Sequence, residues 1–520
     1  MGCCQASRVT QAVTSKGDMQ PAPPTKAVPP EAILGKDARD VWKVYEQQQR
    51  LGSGAFGTVY QAKDKETGRC VALKKLDLTG EASTHTAAID EFKLCAQVSH
   101  PHIMRVFAFY TAPNAVYIAS ELAARGEFLD VLHGDPELAN EAVIAKVASQ
   151  VLSALVFLHG LPMIHHDVKP ANILVIDQQC SDAPRVPVVV LGDFGTARLS
   201  QSTARVEHSA HAGQEVGVLG TPEYCGPEVF QGQSGDRTDV YALGVTLFEL
   251  LSGEKPFEQY FDMWGEEDAN TEASRFHQMA DVSYEADWSY LRGCSEEARA
   301  LIQRMMAKPY EQRPSAADCA KESWFAGEKA ADAGTASKDA QLRVKRLQQR
   351  ARLCVVGKAI LNMVAAQLSG EALQRERELF QKLDLDGSGQ ISADELLQAF
   401  RSKGWDSNRA EAALKLFDLD KSGSLSFNEW MAATMDLESR DGRGLLLHVK
   451  ELFAQLDQDG NGQIELGEIR KRLCVGDDVQ EEALQKFFAE VDTNGDGTIS
   501  LAELERFWTR SVRTPTPVCC

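Results

Sequence analysis

His165-His166-Asp167-Val168-Lys169-Pro170-Ala171-Asn172, followed downstream by Asp193-Phe194-Gly195, is the stretch on which the reading of this 520-residue chain turns. It sets a carboxylate, an ammonium group and a carboxamide in one short loop, with a second carboxylate after it. Phosphoryl transfer asks little covalent chemistry of a protein. A carboxylate accepts the proton of the attacking hydroxyl, and oxygen ligands hold Mg²⁺ against the phosphates. Asp167 suits the first task, Asn172 and Asp193 suit the second, and Lys169 can neutralise the phosphate being moved. Such a string can arise by chance in an ordinary loop, so its neighbours decide.

Upstream, Leu51-Gly52-Ser53-Gly54-Ala55-Phe56-Gly57-Thr58-Val59 reads as a glycine-rich turn between two strands. Without a Cβ in the way, backbone amides there can approach phosphate oxygens. A GxGxxG turn alone also opens dinucleotide folds. Here a β-rich continuation follows instead of a crossover helix, and then Val71-Ala72-Leu73-Lys74, the order of a loop that covers ATP. Glu91, on a helix expected over about 86–98, stands ten residues before Pro101 and can aim Lys74 at the α- and β-phosphates. Val116–Leu122 reads as the strand running into an adenine-binding hinge, with Ser120, Glu121 and Ala123 at the base. Ser120 is a small gate to the space behind it.

From about residue 45 to 325 the chain resembles a protein kinase domain. Gly220-Thr221-Pro222-Glu223-Tyr224, Gly226-Pro227-Glu228, Asp239-Val240-Tyr241-Ala242-Leu243-Gly244 and Arg313-Pro314-Ser315 complete the likeness. The resemblance implies that Glu228 pairs with Arg313 and that Asp239 braces the catalytic loop. Lys169 and Thr221 favour the serine/threonine class, and Glu127 stands where related kinases meet a basic residue of the substrate. Three positions depart from the family: His166 for an arginine that receives an activating phosphate, Gly226 for alanine, Tyr241 for tryptophan. An ordinary histidine is mostly neutral at pH 7, so His166 would hold a phosphate poorly. The segment between Asp193 and Glu228 is long and includes His208 and His211, read as a solvated loop rather than a metal site.

Beyond Phe325 the composition turns to Ala, Gly and small polar residues. Lys338, Arg343, Lys345, Arg346, Arg350, Arg352 and Lys358 then interleave with Leu342, Leu347, Leu353, Val356 and Ile360. A basic amphipathic helix of this kind is what calmodulin-like lobes grasp. Four twelve-residue loops follow, each opening on Asp, with Gly at position 6 and Glu at 12, the pattern of EF-hand calcium loops. The first offers Asp384, Asp386, Ser388, Gln390 and Glu395, and the second Asp418, Asp420, Ser422, Ser424 and Glu429. The third offers Asp457, Asp459, Asn461, Gln463 and Glu468, and the fourth Asp492, Asn494, Asp496, Thr498 and Glu503. With Glu465, the third loop carries one carboxylate more than the others, which predicts that the C-terminal pair fills first.

Kinase domain, basic junction and two EF-hand pairs, in that order, resemble the calcium-dependent protein kinases of plants and protists. The resemblance implies an α+β bilobal protein kinase fold followed by an all-α calmodulin-like domain of two EF-hand pairs. The expected divisions are an N-terminal tether at 1–43, the kinase at 44–325 and a junction at 326–370. EF-hand pairs follow at 371–438 and 439–511, then a tail at 512–520. ATP, Mg²⁺ and Ca²⁺ are the implied cofactors. The implied switch is a junction that blocks the kinase until loaded EF-hands take hold of it. A catalytically dead calcium sensor that scaffolds partners is the alternative, and intact Lys74, Glu91, Asp167, Asn172 and Asp193 argue against it. A constitutive kinase with EF-hands used only for docking survives sequence inspection.

A net charge of −20 argues against nucleic acid as the main partner. Twelve scattered cysteines without framework spacing suit a reducing cytosol. No apolar run is expected to reach the roughly 18 residues that span a bilayer. Met1-Gly2-Cys3-Cys4 instead resembles a lipidation signal, with myristate on Gly2 and palmitate on Cys3 or Cys4, although Ala6 stands where Ser or Thr is usual. The expectation is a protein held on the cytosolic face of a membrane. The C-terminal Cys519-Cys520 resembles a double-cysteine prenylation end, but with nothing else to support that it is read as an ordinary exposed tail.

Overall fold

The computed structural model describes residues 36–37, 41–54, 57–65, 67–77, 98–112, 115–176, 186–199, 220–257, 285–328, 346, 350, 355–365, 368, 370–400, 406–419, 421–435, 449–450, 452–454, 456–457, 459–473 and 478–513. Expectations for Gly2, Cys3, Cys4, Ala55, Phe56, Glu91, His208, His211 and Asp420, and for most of 326–354, fall outside them.

Six strands form the N-terminal sheet: β1 (Lys36–Asp37), β2 (Tyr45–Gly54), β3 (Gly57–Asp64), β4 (Cys70–Asp77), β5 (Val106–Ala112) and β6 (Ala115–Glu121). Their order is β1-β5-β6-β4-β3-β2, antiparallel apart from the short β1–β5 edge. Side chains alternate along a strand. In β4, Val71 and Leu73 are therefore buried with Ala62, Tyr110 and Ala119, while Ala72 and Lys74 share the opposite face. That alternation delivers Lys74 to the cleft. The β4–β6 register sets Ala72 beside Ser120, whose hydroxyl donates to the Ala72 carbonyl at 3.4 Å.

Helices α1 (Glu141–Gly160), α2 (Asp236–Ser252) and α3 (Glu296–Met305) build the second lobe. Asn140 caps α1 by accepting from the Val143 amide at 3.0 Å. Helix α1 buries Ile144, Val147, Val151, Leu155 and Leu158, spaced three and four apart, against the core that also takes α2. It corrects one expectation: by length and composition it could cross a membrane, and it is the one such helix among the described residues. More than half of its apolar window is covered inside the protein, as befits a central core helix. Strands Ile173–Val175 and Val189–Leu191 pair antiparallel beneath the cleft, and the Gly192 amide donates to the Asn172 carbonyl at 2.9 Å. This pairing brings Asn172 and Asp193 together although they lie far apart in sequence.

The calcium-binding half contains α4 (Val355–Ala365), α5 (Gly370–Leu383), α6 (Ala393–Phe400), α7 (Ser407–Phe417), α8 (Phe427–Thr434), α9 (Leu466–Leu473), α10 (Asp478–Val491) and α11 (Leu501–Arg513). Short antiparallel ladders couple the loops in pairs, Ile391 opposite Leu425 and Ile464 opposite Ile499, all four fully buried. Helix α4, the end of the junction, is not a separate element. Its Val356, Ile360, Leu361, Met363 and Val364 lie in one core with residues of both pairs, between α8 and α10. Lys358, one of the basic positions of the amphipathic junction, is buried with its ammonium 5.6 Å above the Phe417 ring.

Candidate functional site

The catalytic loop is held from below before it is used from above. Asp239, fully buried near the start of α2, accepts from the His165 amide at 2.9 Å and the His166 amide at 2.8 Å. His159 of α1 reaches the same carboxylate at 2.9 Å. Burial opposes the Asp239 charge, but these partners outweigh it and hold the group below the usual carboxylate range. The expected brace is therefore present, with His159 as a member that no sequence motif announced. The His165 ring stacks edge-on against Phe194 at 4.8 Å and meets the Gly192 carbonyl at 3.0 Å. His166 is buried with its pKa pushed down by burial, in keeping with the neutral ring expected of it.

Asp167 stands on this base. Its Oδ1 accepts from the Thr221 hydroxyl at 2.6 Å and the Thr221 amide at 3.0 Å. Its Oδ2 accepts from the Asn172 side chain at 2.9 Å and lies 2.9 Å from Lys169 Nζ. Lys169 also donates to the Thr221 hydroxyl at 2.6 Å. Burial pushes the Asp167 carboxyl up, yet Thr221, Lys169 and Asn172 prevail and keep it below its ordinary value. It is an ionised carboxylate at neutral pH. Sequence reading used Thr221 only to choose a substrate class; the structure makes it the closest partner of the base.

Lys74 Nζ lies 2.6 Å from Asp193 Oδ1. Asp193 has φ of +53°, a left-handed turn that aims its side chain into the cleft while it accepts from the Gly195 amide. The glycine-rich hairpin arches above. Gly57 has φ of +122°, and a Cβ there would drive into the Lys75 carbonyl, whereas Gly52 opens onto free space. Leu51, Ser53, Gly54, Thr58 and Val59 belong to the same β2–β3 hairpin. At the rim, burial first and Asp130 second push the exposed Glu127 carboxyl up, while Lys169 acts in the opposite sense. Lower down, Arg313 grips Glu228 through two bonds of 2.7 Å, both members buried. This is the pair the resemblance implied.

The four calcium loops are folded as ligand cradles. Asp384 accepts from the Ser388 amide at 2.9 Å and the Gly389 amide at 2.8 Å. Asp418 and Asp457 repeat this on Ser422 and Gly423 and on Asn461 and Gly462. Asp492 differs slightly, accepting from Gly495 and Gly497. Glu395, Glu429, Glu468 and Glu503 turn back over their loops onto backbone amides. Oxygens of Asp384, Asp386 and Glu395 lie within 4.8 Å of one another, as do those of Asp457, Asp459 and Glu468. Burial, followed by repulsion from Glu395 and Asp386, pushes the Asp384 carboxyl up to about 8. Crowded carboxylates of this kind fit a divalent cation, which relieves their repulsion. Asp496 instead hydrogen-bonds Thr498 and Asn494 at the surface of the fourth loop.

Protein families match the chain in three places. A protein kinase domain covers residues 45–325, and an EF-hand domain pair matches twice, at 374–435 and 447–509. Calcium-dependent protein kinase 22 of Arabidopsis thaliana is 28% identical over 474 residues, 87% of this chain and 88% of the relative. Calcium-dependent protein kinase 33 of the same plant is 28% identical over 486 residues, covering 89% and 85%. Calcium-dependent protein kinase 5 of Plasmodium berghei is 26% identical over 444 residues, covering 84% and 74%. With the kinase match spanning more than half its length and the catalytic groups gathered as described, the chain belongs to the protein kinase family, in the form that carries two EF-hand pairs behind the kinase domain.

Proposed function

We propose that this protein is a calcium-activated serine/threonine kinase that moves the γ-phosphate of ATP to protein hydroxyls and is released by EF-hand capture of its junction. The observation that carries the switch is where the junction lies. Arg346 donates to the Thr434 carbonyl at 3.3 Å, and Arg350 to the carbonyls of Ala432 at 3.0 Å and Met435 at 2.8 Å. Those carbonyls end α8, where unpaired acceptors and the helix dipole favour cations. Helix α4 follows into the seam between α8 and α10. The described basic and apolar groups of the junction are thus occupied by the EF-hand half, which supports capture rather than blockade in this conformation.

In the reaction, Asp167 takes the proton of the attacking hydroxyl, and its ionised state makes it ready to do so. Lys169 stands beside it to meet charge on the transferred group, and Thr221 holds both in register. Bound Mg²⁺ supplies charge neutralisation on the phosphates, and Asn172 and Asp193 would hold it. Lys74 would orient the phosphates, with Ser120, Glu121 and Ala123 along the base. Glu127 at the rim favours substrates with a basic residue upstream of the acceptor. Bound Ca²⁺ supplies the charge that closes each EF-hand loop on its Glu at position 12.

Titrating calcium against phosphorylation of a basic Ser/Thr peptide tests the reading. Stimulation of many-fold is expected, whereas calcium-independent turnover would leave only docking EF-hands, and no turnover would leave a scaffold. We further propose attachment to a membrane through myristate on Gly2 and palmitate on Cys3 or Cys4, since two chains hold stably where one holds marginally. Gly2→Ala should move the protein to the soluble fraction, and retention on membranes would overturn this.

A further inference from the structure

The two halves of the chain meet against the back of the nucleotide pocket. Glu121 ends β6 and opens the hinge, and its side chain is buried rather than exposed to the cleft. Both its oxygens are taken by Arg377, Nη1 to Oε1 and Nη2 to Oε2, each at 2.7 Å. Arg377 is 1% exposed and sits in α5, the helix that runs into the Asp384 loop. Burial opposes the Glu121 charge, and Arg377 overcomes it, keeping the carboxyl below its usual range.

The neighbours tie the same two bodies. Arg105, whose carbonyl accepts from the Glu121 amide at 2.9 Å, sends its guanidinium to the Ala365 carbonyl at 2.9 Å and to Asn428 at 3.3 Å. Gln381 of α5 contacts the His102 ring, and a Cβ on Gly389 would run into His100. A bidentate pair fixes direction as well as distance. A buried pair also resists separation, because parting it strands a charge away from water. The hinge strand therefore cannot shift without moving α5, and Asp384 begins the loop at the far end of that helix, roughly 10 Å from Arg377 at 1.5 Å per residue.

We propose that Arg377, supplied by the calcium-binding half, is a positioning residue for the nucleotide pocket: it holds Glu121 from behind and so couples the adenine hinge to the Asp384 calcium loop. This rests on the kinase reading above. Coupling of this kind is reciprocal, so the factor by which calcium tightens nucleotide binding equals the factor by which nucleotide tightens calcium binding.

Calorimetry on the full chain with the non-hydrolysable analogue AMP-PNP and Mg²⁺, with and without saturating Ca²⁺, measures that factor without any turnover. The unaltered protein should bind AMP-PNP several-fold more tightly with Ca²⁺. Arg377→Met alone leaves Glu121 buried and unpaired and can unfold the chain, so the deciding variant is Glu121→Gln with Arg377→Met, which removes both charges. Its AMP-PNP affinity should fall about tenfold in Ca²⁺ and become nearly independent of Ca²⁺, within the range usual for allosteric coupling. In turnover, KM for ATP should rise more than kcat falls, and Arg377→Lys should recover part of the loss. Wild-type affinity and wild-type calcium coupling in the double variant would overturn the inference alone. Failure of the unaltered protein to bind AMP-PNP would overturn the kinase reading with it.

Discussion

The hydroxyl of Thr221 offers the sharpest test of how the base is set. It donates to Asp167 at 2.6 Å while receiving Lys169 at 2.6 Å, so it links the base to the cation that faces the phosphate. A hydrogen bond to a charged group contributes about 1.5–3 kcal/mol. At about 1.4 kcal/mol per decade this corresponds to roughly ten- to hundredfold in rate if the bond persists into the transition state. The Thr221 amide also donates to the same oxygen at 3.0 Å, and Asn172 holds the other, so the carboxylate keeps its orientation when the hydroxyl is lost. The effect of Thr221→Val should therefore lie nearer tenfold, in kcat rather than in KM for ATP. The pH dependence has a definite sign. Thr221 is the first of the groups that lower the Asp167 pKa against burial, and the base acts only when ionised. Removing the hydroxyl raises that pKa, so the acid limb of the kcat/KM profile should move to higher pH. Thr221→Ser should restore both rate and limb. Steady-state kinetics on a basic peptide across the acid range measures both. An unmoved limb together with an unchanged kcat in Thr221→Val would refute the reasoning.

Asp167→Asn should abolish turnover while AMP-PNP still binds by calorimetry, since the base makes none of the hinge contacts. Ser120→Met should weaken inhibitors that place a bulky aromatic group behind adenine by about tenfold or more, read as a shift in inhibition constant; unchanged potency would mean that the hinge is misassigned. Arg313→Met leaves the buried Glu228 carboxylate unpaired and should cost about 3–5 kcal/mol, visible in chemical denaturation of the kinase half. Glu395→Gln with Glu429→Gln should shift the calcium midpoint of activation more than Glu468→Gln with Glu503→Gln, because the first loop rests on the kinase while the third and fourth are exposed. Peptide phosphorylation across calcium concentrations ranks the two pairs, and a larger shift from the C-terminal pair would reverse the assignment.

What could be read from the chain alone followed from how local each feature is. The Asp167 loop, the glycine-rich hairpin and the calcium loops are short runs whose chemistry dictates their spacing, so Lys74, Asp193 and the position-12 glutamates could be named from sequence alone. The Glu228–Arg313 pair was legible only through family resemblance, since nothing local joins residues so far apart. His159 on Asp239 and Arg377 on Glu121 left no trace in sequence, because each is a polar side chain on a helix without a motif and finds its partner only after the lobes pack. The surroundings of Lys358 were hidden for a related reason. Its spacing marks a basic position on an amphipathic helix, but α4 is surrounded on more than one side, and its aliphatic stem and ammonium are accommodated over Phe417.

The junction's placement also bears on whether calcium can supply enough free energy to drive the switch. Moving an off state from 99% to 1% takes roughly 5.5 kcal/mol of differential interaction. Ile360 and Leu361 of α4 are no more than 1% exposed, and Val356, Met363 and Val364 nearly as buried. Burying such side chains contributes about 1.5–3 kcal/mol each, so the gain from four of them reaches the required difference even at the lower end, before any charge is counted. Arg346 and Arg350 add direction more than strength, because their partners are the carbonyls ending α8, available in one orientation only. Arg105 of the kinase closes the far end by capping Ala365. A junction seated in this way is shared by both EF-hand pairs and the kinase at once. Apart from the Arg377–Glu121 contact at the hinge, calcium needs only to make this seat deeper than any the junction finds elsewhere, and the cleft around Asp167 is left to its substrate.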